Sequence, residues 1–142
     1  MTIRFGTRLL VVLAVPTFAL AQQPAAVSLV QVLATPERYH GQRVRVEGFL
    51  HCEFEDSALY LSKSDGDYLI GRNAVWVSYS AETQKSLHRG SEKLPVNVRC
   101  DANRKYVLLE GRFNPNGHGH MDCCSGELED VTRLMELKRW SE

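Results

Sequence analysis

The stretch from Gln42 to Phe54, QRVRVEGFLHCEF, decides the fold because it alternates. Val44, Val46 and Leu50 fall on one face, and Arg43, Arg45 and Glu47 fall on the other. Period-two alternation over such a length specifies a half-buried β-strand. Gly48 interrupts the inward set at a place where a bulge or sharp bend fits.

Downstream, the same signal recurs. Ala58 to Lys63 reads as a second strand, with Leu59 and Leu61 facing one way and Tyr60 the other. Asp65-Gly66-Asp67 reads as a turn, and Ala74 to Tyr79 as a third strand, with Val75, Val77 and Tyr79 opposite Trp76 and Ser78. The polar run from Ser80 to Arg89 suggests a surface helix, and Leu94 to Arg99 a short additional strand. Lys105 to Phe113 is the fourth main strand, Asn114 to Gly117 a turn, and Met121 to Val131 the last strand. Leu134, Met135 and Leu137 then suggest a closing helix. Upstream, Ser28 is placed to N-cap a short helix carrying Leu29, Val30, Val32 and Leu33, which Pro36 ends. Val44 to Leu50 and Val107 to Phe113 share one pattern, V-x-Φ-E-G-x-Φ with Φ apolar. Two long strands that must each bend to serve both halves of a small barrel explain it. The fold class is therefore mainly β, a small five-stranded OB-like barrel with a short N-terminal helix and one or two peripheral helices.

The N-terminus sets the address. Arg4 and Arg8 precede an apolar stretch from Leu9 to Leu20, and Ala19-Leu20-Ala21 supplies a small-x-small cleavage pattern. Residues 1–21 read as a signal peptide cut after Ala21, giving a periplasmic or secreted protein. The stretch is shorter than the roughly 20 residues that span a bilayer, so no integral membrane segment is expected after cleavage. Residues 22–26 read as a disordered leader and 27–142 as a single domain. The whole chain is formally neutral, and loss of Arg4 and Arg8 with no acid leaves about −2. Such a balance lacks the basic footprint of a nucleic-acid binder, so nucleic acid is not an expected partner.

Beyond single strands, V-S-L-V-Q-V-L-A-T-P-E-R-Y-H-G-Q-R-V-R-V-E-G-F-L, F-E-D-S-A-L-Y-L-S, A-V-W-V, K-Y-V-L-L-E-G-R-F, G-H-G-H-M and S-G-E-L-E-D-V-T-R-L together resemble a family of small, exported, uncharacterised bacterial proteins with an OB-fold, nucleic-acid-binding-like domain. The resemblance spans Val27 to Leu134 and implies fold rather than activity. Cys123-Cys124 and the longer stretch between the third and fourth strands depart from that family's pattern.

Three sets of residues are candidates for function. Cys52, Cys100, Cys123 and Cys124 are expected to form disulfides in an oxidising compartment. Cys52 lies late on the first strand and the vicinal pair early on the last, strands that neighbour each other in OB barrels. Vicinal pairing strains the backbone, so the expectation is one of the pair bonded to Cys52 and the other to Cys100, each bridge adding roughly 2–4 kcal/mol. No C-x-x-C at a helix start is present to lower a thiol pKa for redox catalysis. His118, His120 and Cys123, with Cys124 beside them, form a second candidate set, for zinc or copper, which a hairpin could bring near His51 and Cys52. Against it, adjacent cysteines on a strand point to opposite faces. The third is aromatic: Tyr60 and Trp76, outward on neighbouring strands, form a candidate ligand-binding face of the kind that stacks bases or sugars in OB folds; cross-strand packing under a covering segment is the competing account.

No G-x-S-x-G, phosphate-binding glycine loop or ordered Ser-His-Asp set occurs, so no catalytic residue and no cofactor is called for. The function expected is that of an exported non-catalytic accessory module of the cell envelope, recognising a protein, peptide or glycan. The alternative is a metal-binding protein using His118, His120, Cys123 and Cys124. Oligomeric state is left open.

Overall fold

Why the strands close on one another follows from two bends. The computed structural model describes residues 23–53, 56–80 and 102–140. Strand β1 is Ala25–Ala26, and helices α1 (Leu29–Ala34) and α2 (Pro36–Tyr39) follow. Next come β2 (Arg43–Glu53), β3 (Asp56–Tyr60), α3 (Lys63–Asp67) and β4 (Ala74–Tyr79). The last two strands are β5 (Lys105–Asn114) and β6 (Glu127–Glu136), with 3-10 turns at Gly71–Asn73 and His120–Asp122. All six strands belong to one sheet, in the order β1-β2-β3-β4-β6-β5, and β2 also pairs with β5. The pairings therefore run in a ring, β2-β3-β4-β6-β5 and back to β2. All are antiparallel except β4 with β6 and the short β1 with β2.

Strand β2 serves both sides of the ring. Its first half has β1 on one edge and β5 on the other, and beyond Gly48 β3 takes over the edge that β1 leaves. A β-carbon at Gly48 would lie 2.7 Å from both the Leu59 side chain and the Tyr60 carbonyl oxygen. At its echo, Gly111 on β5, a β-carbon would lie 2.8 Å from the Glu129 carbonyl oxygen, beside a register shift between β5 and β6. A side chain at either glycine of the repeated motif would thus collide with a neighbouring strand.

Two apolar clusters result. The inner one holds Leu29, Val32, Val44, Val46, Leu50, Cys52, Leu59, Val75, Val77, Val107, Leu109, Phe113, Leu128 and Val131. A smaller outer one holds Phe49, Ala58, Tyr60, Ala74 and Cys124, with Trp76 packed against it. β2, β3 and β4 are therefore covered on both faces where they meet.

Helix α1 is capped as expected: Ser28 accepts from the Gln31 backbone N–H, and Gln31 Oε1 accepts from the Ser28 N–H. Pro36 both ends α1 and opens α2 as its first residue.

Four expectations are corrected. Ala25 and Ala26, expected in a disordered leader, pair in parallel with Val44 and Arg45. Asp65-Gly66-Asp67 is the end of α3, not a bare turn, because Ser62 caps that helix and Gly66 is buried in it. The last strand starts six residues later than Met121, at Glu127. Leu134 and Met135 extend that strand instead of forming a helix, since pairing with Leu109 and Leu108 overrides the local pattern. The segments expected at Ser80 to Arg89 and Leu94 to Arg99, Ser80 apart, lie outside the described residues, as do Cys100 and residues 1–21. Among the described residues no helix is long and apolar enough to cross a membrane.

Candidate functional site

Two loops meet beside β4 and build an open cleft of about 490 Å³, lined by Tyr68 to Arg72 on one wall and Asp122 to Ser125 on the other. The first wall is braced from α3. Ser62 accepts from the Asp65 N–H at 3.1 Å, the Ser62 hydroxyl donates to Asp65 Oδ2, and Asn73 Nδ2 donates to Asp65 Oδ1 at 2.8 Å. Ile70 N–H donates to the Asp65 carbonyl at 2.9 Å. The Asp65 carboxyl is held below its ordinary pKa, first by the Ser62 hydroxyl and then by Asn73. Asp67 is lowered as well, first by its hydrogen bond with Lys63 and, after an opposing burial effect, by Arg104.

The second wall is a clipped loop. Cys124 N–H donates to the His118 carbonyl at 3.1 Å, while His118 Nδ1 lies 3.0 Å from the Cys124 carbonyl oxygen. That contact makes Nδ1 the protonated nitrogen. Ser125 binds the first wall through its hydroxyl, to the Arg72 carbonyl at 3.0 Å, and β4 through its N–H, to the Ala74 carbonyl at 3.0 Å. Trp76 N–H donates to the Gly126 carbonyl at 2.8 Å. Where Gly71 passes the Cys123 carbonyl the backbones are in direct contact.

Three bulky or charged residues of this region have positive φ: Leu69 at 51°, Met121 at 56° and Asp122 at 53°. Such residues rarely adopt this region, and its occupation stores strain that surrounding bonds must hold. Exposed apolar side chains stand with them: Met121 at 86 % exposure, Tyr68 at 78 % and Leu69 at 56 %.

The candidates from the sequence separate on this frame. Tyr60 is only 2 % exposed and sits in the outer cluster, edge-to-face with His51 at 6.3 Å between ring centres. Trp76 is half-buried, and Gly119, with φ of 68°, passes directly over its indole. The Tyr60 and Trp76 rings are thus covered by α3, the Gly-His loop and their neighbours, and the pair offers no open stacking platform. His118 and His120 are exposed, and His51 is buried elsewhere, 3.2 Å from Glu53. Among the described residues no three His, Cys, Asp or Glu side chains stand close enough to hold one metal ion.

Cys123 and Cys124 lie on a bend rather than on a strand, so strand alternation does not part them, and their sulfurs are 2.8 Å apart. Cys123 is exposed and Cys124 buried. Cys52 faces the inner cluster and Cys124 the outer one. A bridge from Cys52 to Cys124 would thus join residues packed in different clusters, whereas Cys123 belongs to neither. Sequence reasoning misses Tyr68, Leu69 and Ile70, although three apolar residues between α3 and Gly71 are a signal of exposure or docking.

No protein-family model matches the sequence, and no curated protein is significantly similar to it. Among solved structures, the chain is similar to the crystal structure of a DUF3299 family protein from Pseudomonas aeruginosa PAO1. The two share a fold. The TM-score is 0.54 and the identity 9 %, over 84 % of this chain and 100 % of that one. At that identity the likeness concerns architecture and carries no residue-by-residue site.

Proposed function

We propose that the chain is an exported, non-catalytic accessory module of the cell envelope that binds a protein or peptide in the cleft between residues 68–72 and 122–125. The observation that carries this reading is the exposure of Tyr68 and Leu69 on one cleft wall and of Met121 next to Asp122 on the other, with Leu69 and Asp122 at positive φ. Apolar side chains on a pre-set frame bind at low ordering cost, and a protein or peptide suits them better than a glycan, for which the Tyr60 and Trp76 rings would have to be open. The order of the strand ring supports an OB-like five-stranded barrel, an architecture that carries ligands on its strands and connecting loops. The Arg4 to Ala21 pattern supports export.

A photo-crosslinking residue placed at Tyr68 or Met121, and as a control at Val30 on α1, tests it in cells. A discrete adduct from the first two positions, absent from the third and lost on substitution of Leu69 by Ser, is the expected outcome. Equal labelling from all three positions would overturn the assignment of the cleft. The metal-binding alternative predicts a stoichiometric ion that survives dialysis and is lost in the His118→Ala/His120→Ala double variant.

A further inference from the structure

We propose that Cys123 and Cys124 are a thiol–disulfide exchange site that closes reversibly into a vicinal disulfide. Their sulfurs stand 2.8 Å apart, inside van der Waals contact. The two thiols differ in access, which assigns their roles. Cys123 is exposed on the cleft wall, with its sulfur 3.6 Å from the His118 carbonyl oxygen. Cys124 is buried behind it, among Phe49, Ala58, Tyr60 and Ala74. Cys123 is thus the nucleophile that an external disulfide meets, and Cys124 the resolving thiol.

The exchange balances in two steps. The Cys123 thiolate attacks one sulfur of a low-molecular-weight or protein disulfide, whose S–S bond breaks, and the first thiol leaves with a proton from solvent. Cys124, its proton given to solvent, attacks the Cys123 sulfur of the mixed disulfide and expels the second thiol. The pair loses two electrons and two protons, and the external disulfide is reduced to two thiols.

Geometry makes the product a switch rather than a staple. Adjacent α-carbons lie about 3.8 Å apart across a trans peptide, short of the roughly 4.4–6.8 Å that disulfides usually bridge. A ring closed across that span is strained, and strained disulfides are the readily reduced ones. The bend that brings the sulfurs together is preset by the reciprocal bonds of His118 with Cys124 and by the contact of Gly71 with the Cys123 carbonyl. None of this depends on the partner proposed for the cleft.

The test uses the reduced protein equilibrated in glutathione buffers from reducing to oxidising, quenched in acid, alkylated and cut with trypsin. The peptide from Phe113 to Arg133 carries both cysteines and no other. In oxidising buffer it is expected to lose about 2 Da and take up no alkyl group, and to recover both thiols on return to reducing buffer. Cys124→Ser should accumulate the glutathione mixed disulfide at Cys123, and Cys123→Ser should react about tenfold or more slowly. Full alkylation of both cysteines in every buffer would overturn the proposal. So would a link from this peptide to the one holding Cys52 or Cys100.

Discussion

The α-carbon of Gly119 rests against the indole of Trp76, with no room between them for a β-carbon. This contact closes the outer cluster and seats the loop that presents the vicinal cysteines. Because Gly119 also has φ of 68°, a side chain there is opposed twice, by the ring and by the backbone. Gly119→Ala is expected to cost about 1–3 kcal/mol in urea unfolding. The Trp76 emission should shift to the red as the loop lifts, and an unchanged midpoint and spectrum would refute the packing role.

The brace under the first wall has a pH signature. Asp65 and Asp67 both have folded pKa values below the ordinary carboxylate range, through Ser62 and Asn73 for one and Lys63 and Arg104 for the other. A lowered folded pKa adds stability at pH above the unfolded value of about 4, and that stability is lost as pH falls through the folded pKa. Ser62→Ala should cost about 1 kcal/mol at pH 7 through loss of the helix cap. Its deficit relative to the unsubstituted protein should shrink as the pH falls below the ordinary carboxylate range and Asp65 takes up its proton. A deficit independent of pH would show that the Asp65 hydrogen bonds contribute nothing.

Close approach at the second strand glycine can be read directly. A β-carbon at Gly111 would meet the Glu129 carbonyl oxygen and the Leu128 side chain, both at 2.8 Å. Gly111→Ala should therefore destabilise by about 1–3 kcal/mol. At Gly41 a β-carbon would meet nothing within 4 Å, but φ is 72°. The same change there should cost only about 1 kcal/mol. Equal costs at the two sites would mean that conformation, not contact, explains the strand glycines.

Glu110 joins three strands. It accepts from Arg45 on β2 at 2.6 Å and from Arg133 on β6 at 3.1 Å, with its side chain only 12 % exposed. Glu110→Ala leaves two guanidinium groups facing each other and should cost about 1–3 kcal/mol. Removing Glu136, whose pairing with Lys105 is half-exposed on both sides, should change stability by no more than about 0.5 kcal/mol. Thermal unfolding of the two variants side by side decides it.

How legible each part was depended on what the pattern assumes. Alternation located β2 and β4 well, β4 to the residue, because Val44, Val46, Val75 and Val77 all turn to one core. The same logic assumes that the other face meets water. It therefore left Tyr60 and Trp76 open to two accounts, a ligand-binding face or packing under a cover, and Phe49, Ala58 and Ala74 make a second cluster around them. Leu134 and Met135 read as helical until their partners on β5 are known, since the pairing is contributed by residues some 26 positions away along the chain. The cleft was the least legible part. Leu69 and Met121 have positive φ, and neither residue type announces it. For the cysteines, their types pointed to structural disulfides with Cys52 and Cys100 or to a metal, and the bend that makes neighbours of their sulfurs came only with the later start of β6.

The two residues of β1 act as a guard rail. In the first half of β2 they occupy the rim that β3 leaves, and Val27 continues the cover by donating to the Arg45 carbonyl at 3.0 Å. An unpaired rim is a template on which strands of other chains can add. Proteolytic trimming past Ala26 would bare it, turning a self-contained ring into a sticky one that recruits its own copies edge to edge.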